Sequence, residues 1–297
     1  MDSWEILAKA KNEGWAIGAF NAGNLEILKA IIEAGKIWQA PLIVETSAGE
    51  ASHFGMKNFL DVVENFREET GMTILTNFDH GPGLEECQAA IEAGYNLVHF
   101  DGSDLPYEEN IKITKALVQL AHSKGVLVEG ELDKIIGESS YHEELAESVQ
   151  AKADYTDPAK AADFVIQTGV DILAVFVGNI HGAYQGAKKL DLERLALIRQ
   201  AVGSEVFFSL HGGSTIGEED IKAAIRLGVV KINVNTELRL AYRQTLENVL
   251  RGSDEVAIYK IMPPVIAAVQ KVVEEKIELF KSEIQSNNSK EVLNFEN

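Results

Sequence analysis

Eight short apolar runs recur along the chain, each separated from the next by a longer stretch with helical spacing. They fall at residues 16–20, 41–44, 72–75, 96–100, 126–128, 171–177, 206–210 and 229–234. The runs are nearly continuous in apolar residues rather than alternating, the pattern of strands covered on both faces in a parallel sheet. Between them, Ile31-Ile32-Glu33-Ala34-Gly35, Ala90-Ile91-Glu92-Ala93-Gly94 and Ala224-Ile225-Arg226-Leu227-Gly228 share one shape. Each is an apolar helix end followed by a glycine able to take the left-handed C′ conformation. Eight strands alternating with helices close most simply as a (β/α)8 TIM barrel, an α/β fold in a single domain. A doubly wound open sheet is the alternative. It would carry a Gly-rich dinucleotide loop after the first strand, and Asn21-Ala22-Gly23-Asn24 is not one.

No linker rich in Pro, Gly or Ser divides the chain. The barrel is predicted over residues 1–285, and residues 286–297, with Asn287, Asn288 and Ser289, read as a flexible C-terminal tail. Lys134 to Asp157 is the longest weakly patterned stretch between strands, a βα loop of the kind that often carries function.

Composition narrows the class. The chain has 297 residues, 46% hydrophobic and 25% charged, which excludes a wholly disordered chain. No apolar run approaches the roughly 20 residues of a membrane span. The start, Met1 to Lys11, carries Asp2 and Glu5 and lacks the order of a signal peptide. Lys and Arg total 27 against 46 Asp and Glu, a net charge of −19, which disfavours nucleic acid as a partner. A small anion is not excluded, because a pocket of backbone amides outweighs a distant field. The single cysteine, Cys87, sits in a helical pattern and reads as a packed thiol, consistent with a reducing cytoplasm.

Active sites in such barrels lie at the C-terminal ends of the strands. Those ends hold Asn21, Ser47, Asp79-His80-Gly81, Asp101-Gly102-Ser103, Glu129-Gly130-Glu131, Gly178-Asn179-Ile180-His181-Gly182, His211-Gly212-Gly213-Ser214 and Asn233-Val234-Asn235-Thr236. Three of the seven histidines, His80, His181 and His211, follow the third, sixth and seventh predicted strands. Three strand-end histidines on one rim, each beside a glycine, are candidate ligands of a divalent metal, with Asp101 and Glu131 as further candidates. Taken singly, each would read as an ordinary hydrogen-bonded loop residue. The turns His211-Gly212-Gly213-Ser214 and Val234-Asn235-Thr236 occupy the usual phosphate position of these barrels, where backbone amides meet in one concavity. Asp79, beside His80, is placed to move a proton or to orient that histidine. His99 lies one layer deeper on the same strand as Asp101 and reads as structural.

In this order the motifs resemble the class II, metal-dependent fructose-bisphosphate aldolase family, which includes tagatose-bisphosphate aldolases. The matching stretches are Gly18-Ala19-Phe20-Asn21, Phe78-Asp79-His80-Gly81, Asp101-Gly102-Ser103-Asp104-Leu105-Pro106, Val128-Glu129-Gly130-Glu131-Leu132, Gly178-Asn179-Ile180-His181-Gly182, His211-Gly212-Gly213-Ser214 and Lys231 to Arg239. The resemblance implies that His80, His181 and His211 hold one zinc, with Glu131 and Asp101 beside it or at a position for a second divalent or monovalent cation. It implies that Asp79 exchanges a proton with the aldehyde-derived oxygen. Asn21, Ser47, Gly182, Gly212, Gly213, Ser214, Asn233, Asn235 and Thr236 would hold the phosphate and hydroxyls of a small sugar phosphate. It also implies a cytoplasmic homo-oligomer, a dimer or tetramer.

Two departures from the family pattern stand out. Where the family carries Gly-Gly, one residue, then Glu-Asp, this chain reads Ile136-Gly137-Glu138-Ser139-Ser140, so the usual carbon base falls on Ser139 and Glu138 is the nearest carboxylate. Where the family carries Asp-Pro-Arg before its last helix, this chain has Ala257-Ile258-Tyr259-Lys260, and a lysine offers a point charge without the bidentate fork. Fructose 1,6-bisphosphate is the default substrate of this reading. Tagatose 1,6-bisphosphate or a ketose 1-phosphate comes next, and a non-catalytic sugar-phosphate-binding barrel is the alternative outside catalysis. A metal-dependent hydrolase is weaker, because activating water needs no phosphate cradle.

Overall fold

The computed structural model describes residues 2–293, with side chains described through 281. Among the described residues ten strands form: β1 (Ile17–Asn21), β2 (Leu42–Ser47), β3 (Ile74–Gly81), β4 (Leu97–Asp101), β5 (Leu127–Glu131), β6 (Tyr141–Leu145), β7 (Ile172–Ala174), β8 (Ala183–Gln185), β9 (Phe207–Leu210) and β10 (Val229–Val234). Eight of them close in the order β1-β2-β3-β4-β5-β7-β9-β10, with β10 parallel to β1. Closure removes the open-sheet alternative: an eight-stranded parallel ring has no free edge.

Each barrel strand matches one predicted run. The ring's strands are buried along nearly their whole length, as continuous apolar runs require. Between strands and outer helices lies the main core, with Phe20, Leu28, Val44, Phe59, Phe100 and Phe208 among its fully buried members. A second cluster plugs the N-terminal end. There the helix Ser3–Glu13 lays Ile6, Leu7 and Ala10 against Ile17, Ile43, Leu97, Ile172 and Val230. That helix begins with a capping box: the Asp2 carboxylate accepts from Glu5 N–H, and Glu5 returns the bond to Asp2 N–H. Burying Leu7 completely contributes about 1.5–3 kcal/mol.

Three details differ from the sequence expectation. The stretch 134–157 contains a strand, β6, paired in parallel with β8 outside the barrel. Its residues are mostly exposed, so no buried-face periodicity marked it. Gly94, as expected, ends its helix at φ 108°, but Gly35 lies inside the helix Leu25–Trp38, and Gln39 takes the left-handed cap at φ 47°. Gly35 instead permits close approach: a Cβ there would lie 2.6 Å from both Leu42 Cδ1 and Met72 Cε. Finally, the last helix runs Ile258–Leu293, so the backbone of the expected tail is helical through Leu293. Residues 294–297 of that tail lie outside the described residues.

Candidate active site

The C-terminal mouth of the barrel holds a cavity of about 360 Å³. Asn21, Ser47, Asp79, His80, Asp101, His181, Gly182, His211, Gly212, Ser214, Asn233, Asn235 and Thr236 all line it. Residues far apart in sequence therefore meet because each ends a strand of one closed ring.

β3 delivers two neighbours at once. Side chains alternate along a regular strand, so Asp79 and His80 would face opposite ways. His80 breaks the alternation with a left-handed backbone, φ 48°, where the pairing of β3 with β4 slips between Phe78 and Gly81. Both residues thus reach the cavity. For a non-glycine residue this conformation costs about 1–2 kcal/mol, a strain of the kind that clusters at functional sites.

The hydrogen bonds assign the imidazole tautomers. His80 Nδ1 lies 2.9 Å from Asp101 Oδ2, and His211 Nε2 lies 2.7 Å from Glu129 Oε1. Carboxylates only accept here, so each ring carries its proton on that nitrogen. The other two nitrogens, His80 Nε2 and His211 Nδ1, face each other at 3.0 Å, and Asn233 Nδ2 lies 3.3 Å from the same His211 nitrogen. Burial lowers the His80 pKa, but Asp79 and Asp101 outweigh it and raise it overall, so His80 Nε2 holds a proton towards His211 that a divalent cation would displace, taking both lone pairs. Asp79, His80, His99 and His211 bring potential ligand atoms within 4.8 Å of one another, and His80, Asp101 and Glu131 form a second such group. Asp101 and Glu131 are direct register partners on β4 and β5. Glu131 is buried, and its Oε2 has no hydrogen-bond partner among the described residues. His181 is set slightly back, its ring 5.1 Å from that of His80 and 6.1 Å from that of His211. Burial, and the imidazoles of His80 and His211, hold His181 well below the usual histidine range, so it is neutral and able to ligate. His99 is fully buried at the floor of the cluster, where its Nδ1 accepts from His80 N–H.

Asp79 is held by two amides, Asn21 Nδ2 at 3.2 Å and Asn233 Nδ2 at 3.1 Å. Burial alone would raise its pKa. The charge of His80, with the neighbouring His99 and His211 rings and the Lys231 ammonium, outweighs burial and holds it well below the ordinary carboxylate range. Beneath it runs a polar layer that the sequence reading missed. Lys231, fully buried, donates to Asn233 Oδ1 at 2.7 Å and pairs with Glu129 Oε2 at 2.8 Å. Glu129 also accepts from Ser209 Oγ. The available signal was a charged residue inside the apolar run 229–234, Lys231, and one directly after the run 126–128, Glu129.

Three predicted residues stand apart from the cavity lining. Gly213 donates its N–H to Asn233 O at 3.0 Å, so that N–H is already engaged. Glu131 lies just below the lining, 3.3 Å from His99 Nε2. Glu138 is exposed, while its neighbour Ser139 lines the cavity. Conversely, Lys134, Ser103, Asp104 and Arg239 line the cavity without having been singled out. Arg239, one turn into the helix Thr236–Arg251, donates to Glu50 Oε1 at 2.6 Å. In the same cavity, the N–H groups of Gly182, Gly212 and Ser214 have no acceptor among the described residues.

The sequence profile of the family described as fructose-bisphosphate aldolase class-II matches residues 1–285. The chain belongs to that family. This class II aldolase chain is 37% identical over 280 residues to the fructose-bisphosphate aldolase of Staphylococcus aureus, covering 93% of this chain and 95% of the relative. It is 37% identical over 293 residues to that of Streptococcus pneumoniae, covering 94% and 97%. Among solved structures, the YdjI aldolase of Escherichia coli K12 superposes with a TM-score of 0.80 at 32% identity, covering 95% of this chain and 97% of that one. The aldolase is therefore a carbon–carbon lyase of a metal-dependent family that acts on small sugar phosphates. Among its described residues no helix is long and apolar enough to cross a membrane.

Proposed function

We propose that this aldolase cleaves and forms fructose 1,6-bisphosphate, with dihydroxyacetone phosphate and glyceraldehyde 3-phosphate as the other partners, in a zinc-dependent reaction. The observation that carries the reading is the pair of imidazole nitrogens of His80 and His211 facing each other at 3.0 Å, with neutral His181 beside them and unbonded N–H groups in the same cavity. The donor set fits a divalent cation: in a tetrahedral zinc site, ligand nitrogens about 2.0–2.1 Å from the ion lie a little over 3 Å apart. His80, His181 and His211 would hold it, with Asp101 and Glu131 close enough to steady His80 or take a second ion. Bound there, the cation would polarise the substrate carbonyl and stabilise the charge that develops next to it. Gly182, Gly212 and Ser214 offer N–H groups to the phosphate, and Asn233, Asn235 and Thr236 flank it. Ionised Asp79, steadied by its two amides, exchanges a proton with the aldehyde-derived oxygen. Glu138, on the loop whose Ser139 lines the cavity, takes the carbon proton when that loop folds inward.

One observation favours a second reading, a ketose carrying only the first phosphate. Lys260 does not line the cavity and is engaged by Glu255 at 2.9 Å. The cations that do line it, Lys134 and Arg239, already face Asp104 and Glu50. The deciding experiment is a coupled assay for dihydroxyacetone phosphate release with purified protein, with and without zinc, over a panel of ketose 1-phosphates and bisphosphates. Turnover of fructose 1,6-bisphosphate supports the main reading, and turnover of ketose 1-phosphates alone supports the second. Binding without turnover of any panel member would leave a non-catalytic barrel. A cytoplasmic homo-oligomer, dimer or tetramer, belongs to the same reading, and light scattering tests the oligomer.

A further inference from the structure

Behind the proposed phosphate cradle lies a lysine that the chemistry above does not use. Lys188 follows β8 and precedes the helix Leu192–Val202. Its backbone is clipped to the far side of the turn after β9: Lys188 N–H donates to Thr215 O at 3.2 Å, and Lys188 pairs with Ile216. Its side chain is completely buried. The ammonium donates to Ser214 O at 2.6 Å and to Gly212 O at 2.9 Å. These two residues line the cavity from the opposite side of the same turn.

No carboxylate lies within ion-pairing distance of Lys188 among the described residues. Besides the neutral His181 at the cavity, the charged groups that face it are Glu237, from the helix Thr236–Arg251, and Lys276, from the last helix. These two are paired with each other at 2.7 Å. Tyr184, on β8, presents its ring 6.0 Å away. A buried ammonium held only by carbonyl dipoles is an incomplete arrangement, since such charges are normally matched by a counter-charge. The cavity in front of the turn is where that counter-charge would sit. The protein as a whole is strongly acidic, and Asp79, Asp101 and Asp104 also line the cavity, so an anion there needs a nearby cation.

We propose that Lys188 is the buried counter-charge of the phosphate site, a substrate-positioning residue whose ammonium acts through the turn Gly212–Ser214 on a phosphate bound at its front. The inference rests on the phosphate cradle proposed above. Burial pushes the Lys188 ammonium down to about 7, with Lys276 adding to this and Glu237 opposing it. Binding a phosphate dianion stabilises the charged form, so phosphate and proton bind cooperatively. The sign follows. Below pH 7 the ammonium is already charged, and binding a phosphate dianion recruits no proton to it. Above pH 7 binding must recruit a proton, and affinity falls by up to about tenfold per pH unit.

The test measures inorganic phosphate and dihydroxyacetone phosphate binding by calorimetry on the metal-loaded protein from pH 6.5 to 9, in buffers of different ionisation enthalpy. The parent should take up a proton on binding at pH 8. Lys188→Met should bind both ligands about 10- to 100-fold more weakly at pH 7, the scale for removing a unit charge one backbone layer away in a partly polar interior. It should retain its metal, its melting temperature within a few degrees, and kcat within about threefold at saturating substrate. Lys188→Arg, which stays charged, should bind phosphate at pH 8.5 more tightly than the parent and without proton uptake. Equal phosphate affinity in parent and Lys188→Met would overturn the proposal. So would a Lys188→Arg variant with the parent's pH profile, which remains informative if the methionine variant does not fold. Loss of metal together with loss of phosphate in Lys188→Met would make Lys188 a structural buttress. A parent that binds no phosphate at all would remove the cradle itself.

Discussion

Replacing Glu129 with glutamine tests whether the polar layer under the histidines sets the site. Glu129 is fully buried and meets three partners: Lys231 Nζ at 2.8 Å, His211 Nε2 at 2.7 Å, and Ser209 Oγ. Glutamine keeps the shape and one acceptor, so His211 and Ser209 can still donate to it. Its amide NH₂ then faces the Lys231 ammonium, donor against donor. Breaking one partner of a buried ion pair costs about 3–5 kcal/mol. Part of that loss is recovered here, because Glu45 Oε2 lies 3.5 Å from the same ammonium. Burial, and repulsion from Asp79, raise the Glu45 carboxyl to about 8, against the pull of Lys231 and Asn77. Glu45 is thus mostly neutral at pH 7, and ionising it there costs about 1.4 kcal/mol. The expected net loss is ~2–4 kcal/mol at pH 7, shrinking by about 1 kcal/mol at pH 8.5, where Glu45 is ionised without that cost. Urea unfolding at the two pH values measures it. His211 also loses its charged orienting partner, so metal affinity should fall about 10- to 100-fold. Stability within about 0.5 kcal/mol of the parent at both pH values, with unchanged metal affinity, refutes the reasoning. A Glu129→Leu, Lys231→Met double variant should regain most of the stability, since an apolar pair of similar volume replaces the ions.

Alanine at His80, His181 or His211 should each strip a stoichiometric divalent metal from the purified protein, read by elemental analysis; full retention in all three variants would reject the assignment. Asp79→Ala should still bind substrate but turn over at least ~100-fold more slowly, the scale for losing a positioned acid/base; unchanged turnover reduces Asp79 to orienting Asn21 and Asn233. Glu138→Gln should lower proton exchange at the carbon of dihydroxyacetone phosphate by ~100-fold or more, with Glu143→Gln and Glu144→Gln milder; parent-like exchange in all three moves the base elsewhere. The Cys87 thiol, raised by burial and then by Glu86 to about 12, should resist Ellman's reagent at pH 8 in the folded protein. Its folded pKa lies above the unfolded value, so its contribution is fully present below pH 9 and is lost as pH rises towards 12; Cys87→Ala should flatten that alkaline loss of stability.

The barrel was legible in the chain because its physics is local and periodic. A strand covered on both faces must be apolar throughout, so 171–177 or 229–234 declares itself without its neighbours. Strand ends follow from that pattern, and in a closed ring they converge, which is why His80, His181 and His211 could be gathered from sequence alone. What the chain could not declare depends on contacts across it. β6 carries no apolar face, because its partner β8 lies forty residues on and leaves it exposed. Gly213 sits between two cavity-lining residues, yet its N–H is consumed by Asn233 O, a bond that exists only once β9 and β10 are adjacent. His80 shows its ring to the cavity through a left-handed backbone that no residue type advertises. Nothing in the sequence pattern marks Lys188, and Lys231 shows only as a charge inside an apolar run; the folded ring buries both completely. Patterning settled which residues are inside and in what order. Tertiary closure decided which charges face one another, because the energy of a buried charge is set by neighbours that sequence distance does not reveal.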